Sequence, residues 1–160
     1  MKPVLLLAGL GVAGFFAFTL FYTTKDAHVE LVGEVQKVRT GAIDERASVA
    51  IVDFRVRNPS KHPFVARTVE LVLEQKDGAR VVGQSIAEVD AVRLMKALPL
   101  LGPKYNETLK LRDRVRPKSE VDKMLSARFE MTEAEIERRA RFVVKVLEVD
   151  GNLSEIAEKR

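Results

Sequence analysis

The chain has 160 residues, with 27 Lys and Arg against 23 Asp and Glu, two His, no Cys and no Trp. Without cysteine it holds no disulfide, thiolate metal site, iron–sulfur cluster or thioether-linked haem, and no anchor through a lipidated cysteine. A net charge of +4 with both signs interspersed is not the concentrated basic excess of a nucleic-acid surface, so no nucleic-acid partner is expected.

Residues 3–22, PVLLLAGLGVAGFFAFTLFY, contain no charge, no histidine and no amide side chain. Twenty helical residues rise about 30 Å, the thickness of a bilayer's hydrocarbon core. A cleavable signal has a shorter apolar centre and a small-x-small exit, whereas here Lys25 stands where a small residue should precede Ala27. The expectation is a retained transmembrane anchor over residues 1–24 and a domain over residues 25–160. Lys2 and Lys25 flank the two ends, so the positive-inside tally is nearly even. A minimal N-terminal tail left in the cytoplasm places the domain in the periplasm or outside, on the inner (plasma) membrane of a bacterial-looking chain. Gly9, Ala13 and Ala17 share one helical face, a small-residue stripe that admits a second helix but is also common in membrane helices at large.

Past the anchor, residues 29–38 read as a strand with Gly33 as a bulge, and residues 40–45 as a polar connection. In the next strand Ala50, Val52, Phe54 and Val56 alternate with Ile51, Asp53, Arg55 and Arg57, the pattern of a half-buried antiparallel strand with a charged outer face. Asn58-Pro59 breaks it. A third strand over residues 65–73 closes on the Asp77-Gly78 turn, a hairpin signal, and residues 79–84 return as a fourth.

Residues 88–98 change to a helical period, ended by the run Pro99-Leu100-Leu101-Gly102-Pro103. Period two returns from Leu109 to Pro117 and again over Leu125, Ala127, Phe129 and Met131. Thr132 and Glu135 have the spacing of a capping box opening a short helix, with Glu135–Arg139 and Glu137–Arg141 as i, i+4 pairs. Residues 142–149 are a nearly all-apolar last strand, followed by the turn 150–152 and a polar tail. About seven short strands with two small inserted helices predict a mainly β fold, an antiparallel immunoglobulin-like β-sandwich behind a transmembrane helix.

The run Val52-Asp53-Phe54-Arg55-Val56-Arg57-Asn58-Pro59, followed by a strand ending in Lys76-Asp77-Gly78, resembles the membrane-anchored immunoglobulin-like sandwiches of the water-stress LEA14 type, over residues 46–83. The resemblance implies a sandwich fold. The helix at 88–98 and the proline-bracketed loop after it depart from that pattern, and a sandwich hosts many functions.

Two surface features stand out. Lys110, Arg112, Arg114, Arg116 and Lys118 occupy every second position. In a strand that places five cations on one face, for anionic lipid, an acidic partner, or the guarding of an exposed edge. Leu98, Leu100 and Leu101 lie in a run with little charge, either a docking loop or a lid over the sandwich. His28 and His62 are isolated, and Asn106-Glu107-Thr108 matches a glycosylation sequon by chance. No phosphate loop, metal-spaced cluster or nucleophile elbow occurs. The sequence therefore predicts a non-enzymatic single-span protein with no cofactor and no small-molecule substrate. It would bind membrane lipid and other membrane-protein subunits, as an accessory part of a photosynthetic or respiratory complex. The alternatives are a free-standing envelope or stress protein and an anionic-lipid module.

Overall fold

The computed structural model describes residues 18, 19 and 30–159. Among them no helix is long and apolar enough to cross a membrane. Most of the expected anchor, with Gly9, Ala13 and Ala17, lies outside the described residues, as does His28.

The domain is mainly antiparallel β. Sheet one contains β1 (Val32–Ala42), β2 (Ser48–Arg57), β5 (Gln84–Ser85), β6 (Glu107–Thr108) and β8 (Glu120–Phe129). Its order is β1-β2-β8, with β5 antiparallel and β6 parallel to β8. Sheet two contains β3 (Phe64–Glu74), β4 (Arg80–Val82), β7 (Arg114–Val115), β9 (Arg141–Glu148) and β10 (Leu153–Ala157). Its order is β10-β9-β3, with β4 and β7 paired to the two ends of β3.

The inward residues of both sheets make one core. Val52, Phe54, Leu125 and Phe129 from sheet one meet Leu71, Leu73, Phe142, Val144 and Ile156 from sheet two, all buried. The alternation of apolar positions along β2 and β3 is what presents these side chains to a single face. At about 25 cal/mol per Å² of apolar surface removed from water, this interdigitated layer dominates the stability of the domain.

The chain changes sheets between β4 and β5, and a single residue, Gly83, makes the switch. Its amide donates to the Leu71 carbonyl at 2.9 Å. A Cβ there would sit 2.6 Å from Phe129 Cζ and 2.7 Å from Ala127 Cβ, so only glycine lets the backbone pass this close to the core.

The structure departs from the sequence expectations in four places, each with a cause. The outer face of β2 is not solvated: Val49, Ile51 and Asp53 are buried. Helix α1 (Glu88–Ala97) and the 3₁₀ turn Pro99–Leu101 lie across that face, and Ala91, Met95 and Leu101 form a second apolar cluster with Val49, Ile51 and Met124. The bulge in β1 falls between Val35 and Lys37, not at Gly33, and the strand runs on through Ala42. The polar tail is strand β10, with Ser154 and Ile156 buried and Leu153 and Glu155 exposed. Five residues with one apolar inward position, Ile156, are too short for periodicity to reveal. Residues 109–118, finally, are not a continuous strand but two turns around β7, with positive φ at Arg112 (67°) and Lys118 (54°).

The capping box is present in α2 (Glu133–Glu137). The Thr132 hydroxyl accepts the Glu135 amide, and the Glu135 carboxylate accepts the Thr132 amide at 2.8 Å. That contact holds the Glu135 carboxyl below the usual glutamate range. The helix is only five residues long; Arg139 pairs locally with Glu137 at 3.5 Å, and the other ion pairs of Arg139 and Arg141 reach to distant segments. Arg139 is buried against Glu158, at 2.8 Å, and Arg141 meets Glu74 across the β3–β9 pair.

Candidate functional site

The α1–3₁₀ platform is held down by one buried ion pair. Arg39, on the outer face of β1, is 6% exposed at its side chain and Asp53 on β2 is 4% exposed. The guanidinium donates to Asp53 Oδ2 at 2.6 Å, to the Leu101 carbonyl at 2.7 Å and to the Pro103 carbonyl at 2.8 Å. Asn106 Nδ2 donates to Asp53 Oδ1 at 3.0 Å, giving the carboxylate a second partner. The Tyr105 ring lies 4.9 Å from the Arg39 guanidinium carbon and 4.7 Å from Lys37 Nζ. A buried charge is tolerable only when paired and hydrogen-bonded, and here one arginine side chain meets both the carboxylate and the loop carbonyls that would otherwise be stranded.

This clamp fixes where the predicted docking loop points. Leu101 is fully buried and Leu98 packs partly against the same cluster, while Leu100 is 95% exposed. Of the three, only Leu100 is free to meet another molecule. Val89 on α1 is the other large apolar side chain exposed on this platform. Glu88, at the start of α1, receives Lys110 Nζ at 2.5 Å and the Lys104 ammonium. The Lys104 contact, with Lys110 second, pulls its carboxyl down to about 2.

Beside the platform, a cleft of about 480 Å³ opens between the sheets, lined by Val69, Ile86, Leu109, Leu111 and Leu125. The groups with a displaced pKa on it are Glu88, held low, and Lys110, raised by its hydrogen bond to Glu88, so the two are already engaged with each other.

The basic stripe occupies a different region. Lys110 is tied to Glu88 at mid-height on the open edge between the sheets. Arg112, Arg114, Arg116 and Lys118 continue to the end of the sandwich where β2 passes into β3. All five are exposed. The Arg112 amide donates to the Ala66 carbonyl at 2.7 Å, β7 pairs Arg114 with Val65, and the Lys118 ammonium meets the Pro59 carbonyl. The expected single strand face is therefore a ribbon of turns, and the cations fan around an edge rather than standing in one row.

This is also the end where the described domain starts: Val32 pairs with Arg57, and Arg57 with Glu120. Exposed Arg57 and Lys61 extend the cationic rim, against Glu30, Glu120 and Asp150. The opposite end reads the other way. Its turns carry Asp44, Glu45, Asp77, Glu130, Glu133 and Glu137 against Arg46, Lys76 and Arg138. The domain is polar along its long axis, basic where the chain arrives from residues 1–29 and acidic at the far end.

Three structural residues at the basic end and platform were not visible in the sequence as such. Asn58 is fully buried. Its Nδ2 donates to the His62 carbonyl at 2.8 Å and to the Val115 carbonyl at 3.1 Å, and its Oδ1 accepts the Ser60 amide at 2.9 Å. Asp53 reads as an outward charge on its strand, and Arg39 falls between the expected first strand and the connection after it. Fourteen residues apart, on neighbouring strands, they had no spacing that would single them out. His62 lies exposed in the turn Asn58 organises, and Asn106 of the sequon is engaged with Asp53. Among the described residues no group of three or more His, Asp or Glu is placed to hold a metal ion.

No family model matches the chain, and no curated protein matches it. Its backbone is similar to the crystal structure of a Bordetella pertussis protein named there as ApaA, with a TM-score of 0.37 and 10% identity over 82% of this chain and 90% of that one, a similarity too slight to bear on fold or function.

Proposed function

We propose that this protein is a single-span, membrane-anchored immunoglobulin-like sandwich that works by binding, as an accessory subunit of a larger membrane complex. The carrying observation is Leu100. A leucine 95% exposed at the tip of a turn whose neighbouring carbonyls are clamped by Arg39 is a preorganised apolar knob. Rigid apolar contacts of this kind lose little entropy on binding. The apolar run at residues 3–22 supports the membrane setting, and the strand order β1-β2-β8 against β10-β9-β3 supports the immunoglobulin-like reading.

The test is native-gel migration and co-purification after gentle detergent extraction from the source membrane, with wild type and Leu100→Glu compared. The proposal expects a larger assembly that the variant leaves. A protein that always migrates alone removes it.

A free-standing protein of the water-stress sandwich type is the second reading. The Asn-Pro turn favours it, because Asn58 gives that turn a structural reason inside a sandwich. It differs in expecting no fixed partner for Leu100.

A further inference from the structure

We propose that the basic rim of the sandwich rests on anionic lipid headgroups. Turns 57–63 and 116–120 with the edge strand β7 would meet the bilayer that residues 3–22 span, setting the orientation of the domain. The inference rests on the anchored reading above and adds to it a lipid class and a direction.

Three observations converge. The first is place. Seven residues lie between Tyr22 and Glu30, and the eight extended steps across them reach at most about 28 Å. The β2–β3 end, where β1 begins, is therefore the end tethered beside the membrane. The second is charge. Arg57, Lys61, Arg114, Arg116 and Lys118 project there, and the acidic turns are at the other end, so a negatively charged plane attracts one end and repels the other.

The third is backbone. Arg112 and Lys118 are the positive-φ residues other than glycine among the described residues. A left-handed position suits glycine or asparagine and costs a side-chain-bearing residue some strain. Both such positions in the ribbon hold long cations. Protection of the β7 edge against strand pairing would be met by charges of either sign. The excess of cations over Asp113 and Glu120 across residues 110–120 is what a headgroup surface adds.

With the rim seated, Leu100 stands well clear of the headgroups. Arg39, which clamps its turn, is seven residues along β1 from Val32, or about 23 Å. A partner meeting the knob would reach that far above the surface.

The chain has no native cysteine, so single-site labelling is direct. Full-length His62→Cys (basic end) and Lys76→Cys (acidic end) are labelled and reconstituted into phosphatidylcholine vesicles, with and without phosphatidylglycerol. Energy transfer to a headgroup-labelled acceptor lipid is then read. The proposal expects stronger transfer from position 62 than from position 76. The position-62 signal should rise with phosphatidylglycerol and fall back at high salt. Arg114→Glu with Arg116→Glu should lower the ratio of seated to raised domains by at least about 5-fold per residue, since one near-surface cation contributes roughly that factor. Transfer that ignores lipid charge and salt overturns the proposal and points the cations at an acidic protein instead. The salt arm needs no charge-reversed variant, so misfolding of one cannot protect the idea. If the chain washes off the vesicles with carbonate, the anchored reading falls and this inference with it. If it stays while lipid charge has no effect, only this inference falls.

Discussion

Replacing Arg39 with methionine removes one partner of the Arg39–Asp53 pair and leaves the carboxylate buried with Asn106 alone. Both groups are almost fully inaccessible, and breaking such a pair from one side costs about 3–5 kcal/mol, against about 0–1 for a surface pair. The Leu101 carbonyl also loses its buried donor, so the upper half of that range is expected. With a urea slope of about 2 kcal/mol/M, the unfolding midpoint of the full-length protein in mild detergent, followed by far-UV circular dichroism, falls by roughly 2–2.5 M. The double variant Arg39→Met/Asp53→Leu removes the stranded charge and regains about half of the loss, because apolar replacements of a buried pair are often near neutral while the loop carbonyls stay unpartnered. A single-variant loss below about 1 kcal/mol, or a double variant no better than the single, would refute the clamp.

Other expectations test other parts of the fold. Leu101→Ala costs about 2–5 kcal/mol, as truncation of a buried leucine does, whereas Leu100→Ala changes stability by less than about 0.5; parallel urea titrations separate the two, and equal effects would mean the platform is misplaced. Gly83→Ala destabilises by about 1–3 kcal/mol through overpacking against Phe129 and Ala127, read as a lowered melting temperature. The Glu88 carboxyl titrates at about 2 rather than at the usual value of 4.5 because Lys104 and Lys110 hold it ionised. Its contribution is therefore complete above pH 4.5 and lost as the pH falls towards 2. Glu88→Gln flattens its share of the acid limb of the urea midpoint, and an unchanged limb contradicts the clamp of α1 to its lysines.

The sandwich was legible because β2, β3 and β9 carry alternating or continuous apolar runs and because Asp77-Gly78 closes a hairpin. The capping box was legible for the same reason: its chemistry is local and lies four residues from end to end. What escaped is non-local. Ile51 and Asp53 read as an outward face because nothing in β2 announces that α1, some 35–45 residues later in the chain, folds back over it. The cations of residues 110–118 suggested a strand by their spacing. Positive φ at Arg112 and Lys118 broke it into turns, and sequence offers no cue for a left-handed arginine or lysine. β10 was hidden by the polar residues around Ile156, whose burial depends on pairing with β9.

The most direct test of the central claim is the state of the protein in its native membrane: blue-native migration of wild type beside Leu100→Glu, with the two shown equally stable by urea titration. The account predicts that wild type runs in a larger assembly and that the variant runs free. Wild type migrating alone, or a variant that stays in the assembly, would contradict it.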